Sequence, residues 1–174
     1  RVADADALVA LLRARQAASV PMEDSGADAR TSGEVLLRLP LVELVSTLVT
    51  APEAAARVER FAAEALGKQV VRCGDRSGFV VNALLVPYLL AAIRMAEAGV
   101  ATVEDIDTAV VAGLSHPMGP LRLSDLIGLD TMKLIADSMY DEYKDPHYAP
   151  PPLLLRMVEA GQLGKKSGRG FYTY

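Results

Sequence analysis

GFVVNALLVPYLLAAI, residues 78–93, is apolar at nearly every position, yet it carries Asn82 near its start and Pro87 near its middle. A membrane span is the first reading to test, and it fails on length. Crossing a bilayer takes about 20 residues, whereas Arg76 and Arg94 flank this run closely. The stretch reads instead as a buried helix of a soluble protein. Ser77 is placed to cap it, Gly99 to end it after Ala98, and Pro87 to bend it by removing one hydrogen bond.

Downstream, the chain reads as helix throughout. Thr102 followed by Asp105 forms a variant capping box, behind which Val103, Ile106, Ala109 and Val110 make an apolar face. SHPMGP then breaks the pattern, and helices are expected over about 120–127 and 130–144. PPPLLLRMVEAGQ adds a short amphipathic helix before the glycine-punctuated, aromatic-ended tail GKKSGRGFYTY.

Upstream, LVELVST (41–47) and QVVRC (69–73) read as strands, with Glu43 interrupting the first. Between them PEAAARVERFAAEAL (52–66) starts on a helix-favouring Pro, sets Val58, Phe61, Ala62 and Leu66 on one face, and stops at Gly67. This is a unit of βαβ size with no further sheet to join. Residues 1–38 differ in composition, with nine Ala and five Arg but no Lys, aromatic, Ile or Asn. Val2–Ala18 has the propensity for an Ala-rich helix, and SVPMEDSGADARTSGE reads as a linker. Leu39 is expected to mark a boundary, the Ala/Arg-rich, Lys-free prefix before it being of the kind an out-of-frame or misannotated start in a GC-rich gene could produce.

Composition narrows the function classes. A net charge of -4 argues against a nucleic-acid partner. Cys73, the single cysteine, cannot form an internal disulfide and reads as a small apolar residue. Two histidines, His116 and His147, are too few for a metal site; His116 reads as structural and His147, beside Pro146 and Tyr148, as a loop residue. With no signal-peptide pattern at Arg1–Ala18, the chain is expected to be cytoplasmic.

LPLVELV (39–45), GKQVVRCGDRSGFVVNALLVPYL (67–89), DIDTAVVAGLSHPMGPLRLSDLIGLD (105–130) and GKKSGRGFYTY (164–174) together resemble the 3-hydroxyacyl-CoA dehydrogenases, most of all the bacterial 3-hydroxybutyryl-CoA dehydrogenases. The resemblance covers residues 39–174. It implies a mainly α chain: a helical C-terminal dimerisation domain over 77–174, preceded over 39–76 by the last strand-helix-strand of a Rossmann-like NAD(P)-binding domain, with 1–38 unassigned. The implied reaction is hydride transfer between NAD or NADP and C3 of a short-chain acyl-CoA, in a homodimer, with a His as general acid/base.

The same resemblance assigns residues. Glu43 matches the glutamate that pairs with the catalytic His, fixing its tautomer and stabilising the imidazolium. Asn82 matches the active-site asparagine, whose amide can stabilise charge developing on the substrate oxygen. Lys166 matches a lysine that reaches the dinucleotide, an ammonium being suited to a diphosphate or ribose. The family's H-F-F-N-P histidine and its G-x-G-x-x-G turn have no counterpart here, since ARTSGEVLLR precedes Leu39 and no His occurs before Glu43. The chain alone is therefore expected to bind no NAD(P) and to be catalytically silent. The competing reading is a non-enzymatic helical module for dimerisation or acyl-CoA binding.

Overall fold

The computed structural model describes residues 40–174, so the expectations for Val2–Ala18, the linker after it and the boundary at Leu39 lie outside the described residues. Its described parts form two compact units, residues 40–83 and residues 84–174.

In the first unit, strand β1 (Leu41–Ser46) and strand β2 (Gln69–Gly74) pair in parallel, with Glu43 opposite Val71 and Leu44 opposite Arg72. A parallel pair needs a crossover, and helix α1 (Pro52–Arg60) supplies it. Pro52 presets the first helical φ. Glu53 in the first turn and Arg57 and Arg60 in the last match the helix dipole. The single helix expected to Leu66 is interrupted, because the winding widens into a π turn over Phe61–Ala65 before Gly67 reverses the chain at φ 63°. The wider turn shifts the apolar face: Ala62 is buried, while Phe61 and Leu66 are exposed.

Helix α2 (Val81–Glu97) begins in the first unit and continues into the second. Val86, Leu89, Leu90 and Ile93 recur at helical spacing and are buried, as is Pro87. Helices α3 (Val103–Leu114), α4 (Pro120–Ile127), α5 (Leu129–Tyr143) and α6 (Pro152–Glu159) follow. Leu121, Leu129, Met132, Met139 and Leu154 complete the core of this unit. Burying such a side chain fully contributes roughly 1.5–3 kcal/mol. No described helix is long and apolar enough to cross a membrane.

How these helices start is a recurring problem with two solutions. Helix α3 uses its own Thr102, whose Oγ1 accepts from the Asp105 N–H at 3.1 Å and donates to the Asp105 carboxylate at 2.7 Å. Helices α4 and α6 borrow a carboxylate from a distant element. Helices α4 and α6 open on prolines, which offer no N–H. The N–H groups that follow go to Asp107 of α3 (Leu121 at 2.7 Å, Arg122 at 2.9 Å) and to Glu97 of α2 (Leu153 at 2.8 Å). Three residues before Glu97, Arg94 donates to the Ala149 carbonyl at 2.7 Å and pins the 3₁₀ turn Pro146–Tyr148.

Candidate functional site

Helix α2 also takes its start from a remote carboxylate. Ser77 was the expected cap, but the helix begins only at Val81, after a turn in which Gly78 and Phe79 both have left-handed backbone (φ 84° and 46°). Val80 and Phe79 carry no acceptor. Glu43 Oε1, from β1, accepts from the N–H groups of Val80 at 2.8 Å and Val81 at 3.0 Å. Asn82 is the next residue, half-buried, with its side chain making no hydrogen bond to another described residue. Glu43 and Asn82 are thus brought to the same helix end.

A groove of about 420 Å³ opens at the carboxyl ends of the two parallel strands, lined by Ser46, Thr47, Leu48, Gly74, Asp75 and Arg76. Open parallel sheets bind ligands at this end. The groove does not fit a dinucleotide pyrophosphate. The connection Thr47–Ala51 contains no glycine, Leu48 and Val49 stand exposed on it, and the first turn of α1 carries Glu53 where an anion would sit. Burial, then the charges of Glu43 and Asp75, push the Cys73 thiol up, which disfavours its thiolate.

Lys166 lies in the second unit, in the 3₁₀ turn Lys165–Ser167. Its ammonium sits 2.6 Å and 2.8 Å from the two carboxylate oxygens of Asp130, a pair about one-third exposed. His116 is held structurally, its Nδ1 lying 3.3 Å from the Tyr88 hydroxyl and its ring edge-on to Tyr88. Among the described residues, no three His, Cys, Asp or Glu side chains gather to hold a metal.

Two carboxylates that sequence reasoning passed over organise this unit. Asp107, besides capping α4, accepts from the Tyr172 hydroxyl at 2.8 Å. Asp125, fully buried on α4, accepts from the N–H groups of Phe171 and Tyr172, both at 2.9 Å, and from the Tyr174 hydroxyl at 3.2 Å. Burial nevertheless wins over those bonds and raises the Asp125 pKa. Arg122 stacks 4.1 Å above the Tyr172 ring. The signal was available: each is an acid beside apolar core residues of its helix, Asp107 next to Ile106 and Asp125 between Leu121 and Ile127.

The residues 78–174 match the family model described as 3-hydroxyacyl-CoA dehydrogenase, C-terminal domain. The chain is 83% identical over 136 residues to a 3-hydroxybutyryl-CoA dehydrogenase of Mycobacterium tuberculosis, covering 78% of this chain and 48% of that protein. It is 45% identical over 137 residues to human mitochondrial hydroxyacyl-coenzyme A dehydrogenase, covering 78% and 43%. The crystal structure of M. tuberculosis FadB2 superposes with a TM-score of 0.79 at 81% identity, over 80% of this chain and 49% of that one. That of (S)-3-hydroxybutyryl-CoA dehydrogenase PaaH1 from Ralstonia eutropha gives 0.76 at 41%, over 79% and 48%. The chain spans about half the length of the relatives it matches. With its helical domain, its preceding parallel strand pair and this degree of identity, it belongs to the 3-hydroxyacyl-CoA dehydrogenase family.

Proposed function

We propose that this chain carries the acyl-facing half of a short-chain 3-hydroxyacyl-CoA dehydrogenase, the 3-hydroxybutyryl-CoA type, acting at C3 of the substrate in a homodimer. The observation behind this reading is the Glu43 carboxylate set on the end of the helix that bears Asn82. Asn82 would point a neutral donor at the oxygen that gains charge, which can be worth about 3 kcal/mol in the transition state. Glu43 Oε2 accepts from no described residue, and would take an imidazole N–H supplied by the rest of the enzyme. A nicotinamide dinucleotide provides the hydride chemistry in the complete enzyme; Lys166, still partly exposed beside Asp130, is the described residue that would approach its phosphates or ribose.

The decisive experiment joins residues 39–174 to the dinucleotide-binding half of the M. tuberculosis relative. There, Asn82→Ala should lower turnover by about 100-fold or more and leave stability within about 1 kcal/mol. A variant that loses roughly 1–3 kcal/mol of stability but turns over normally per folded molecule would make Asn82 a packing residue and end this assignment.

The chain by itself we take to be silent. Its groove lacks a phosphate cradle, and Lys166 offers a single ammonium. NADH fluorescence on titration should therefore show no binding tighter than about 100 μM, roughly -5.5 kcal/mol. A tighter constant would reveal a dinucleotide site in the 174 residues.

A further inference from the structure

We infer that Glu43 is a positioning residue for Asn82, acting through the first turn of α2 rather than only through an imidazole. This rests on the reading of Asn82 as the residue that meets the acyl oxygen. The chain leaves β2 and must turn sharply into α2. It does so through Gly78 at φ 84° and Phe79 at φ 46°. Left-handed backbone is unremarkable for glycine but rare and costly for a bulky aromatic, and it persists only where neighbours over-determine it. The first-turn N–H groups then need acceptors. Ala83 finds the Gly78 carbonyl at 3.0 Å, and Val80 and Val81 share an acceptor carried by another element.

Glu43 meets both from 37 and 38 residues upstream, with the same oxygen. Asn82 follows Val81 directly, so the bonds that fix Val80 and Val81 fix the backbone from which the Asn82 amide projects. An uncapped turn at this point would fray, and fraying moves Asn82 before any other residue of α2 that faces chemistry. Because Oε1 takes both helix bonds, Oε2 stays available, and one carboxylate can set the spacing between a base held on one oxygen and the amide governed by the other.

The 174-residue chain, labelled with nitrogen-15, tests this without any turnover measurement. In Glu43→Ala, amide hydrogen exchange at Val80 and Val81 should quicken by about tenfold or more, the Asn82 carboxamide should become mobile, and Ile93, deep in α2, should stay protected. Glu43→Gln keeps a carbonyl acceptor and should restore both signals. Unchanged exchange at Val80 and Val81 in Glu43→Ala, or an Asn82 carboxamide that stays ordered there, would overturn the inference. If Glu43→Ala melts the β1–β2 pair, Glu43→Gln decides alone: a folded chain with Asn82 ordered supports it. A frayed turn, or a second melted sheet, overturns it. Since no rate enters, failure here is separate from failure of the Asn82→Ala turnover test.

Discussion

Asp107 holds three donors with two oxygens, and that is why it tolerates burial. A buried carboxylate is costly unless its lone pairs are filled, and here Leu121 fills one oxygen while Arg122 and the Tyr172 hydroxyl share the other. Asp107→Ala should lower unfolding stability by ~3 kcal/mol, read from urea midpoints, because it leaves the start of α4 and the Tyr172 hydroxyl without an acceptor. Tyr172→Phe, which removes one donor and keeps the ring beneath Arg122, should cost about 1 kcal/mol. The tyrosines also set an alkaline limit. Burial, then the Asp125 charge, pushes the Tyr174 hydroxyl up to about 12, and burial together with Asp107 raises that of Tyr172 as well. A pKa raised on folding means the neutral phenol is the stabilised form. Its contribution is complete below the unfolded value of about 10 and is lost as pH climbs toward the folded value. Stability should therefore fall from pH ~10 to ~12 in step with tyrosinate absorbance, and Tyr174→Phe should weaken that dependence.

The C-terminal tail is an element only because α4 makes it one. Residues 164–174 carry two isolated antiparallel bridges, Gly164 to Arg169 and Arg169 to Thr173, too few to stand alone. Their anchor is Asp125, which the backbone approaches so closely that a Cβ at Gly170 would overlap the carboxylate and one at Gly164 would overlap the Asp125 backbone. Gly170→Ala should thus destabilise the tail by about 1–3 kcal/mol, with Tyr172 and Tyr174 fluorescence changing before the core unfolds. The same contrast explains what was legible in the sequence. Helices α2 to α6 were readable because Val86, Leu89, Leu90 and Ile93, or Thr102 with Asp105, are signals carried within one turn or one face. Glu43 and Asn82 are singled out in the sequence only by motif resemblance, since alternation alone marks Glu43 as a blemish in a strand. Asp107 and Asp125 were missed because their partners lie 14 to 65 residues away in the chain. Ser77 has the position of a cap, yet the left-handed turn at Gly78 and Phe79 delays the helix to Val81, whose N–H goes to the distant Glu43. The π turn at Phe61–Ala65 left no mark on a sequence of ordinary helix formers.

At the scale of the whole chain, the second unit has a well-filled core and still leaves large apolar side chains in water. Leu84 of α2 is 74% exposed, Leu114 at the end of α3 is 61% and Leu134 of α5 is 68%. Single exposed leucines need no explanation, but one on each of three helices, α2, α3 and α5, marks surface that association would cover. Withdrawing one such leucine from water contributes roughly 1.5–3 kcal/mol per copy, and a two-fold contact counts each residue twice. The chain is therefore expected to scatter light at twice 18.5 kDa at micromolar concentration. Leu134→Glu sets two like charges into that contact without touching Met132 or Met139, the buried residues of the same helix, so the helical circular dichroism should persist while the mass halves. A wild-type chain that is folded and monomeric at micromolar concentration would sink the dimer. A Leu134→Glu chain that stays dimeric would move the contact off α5, to the surface around Leu84 or Leu114, where the corresponding glutamate substitutions would then have to produce the monomer.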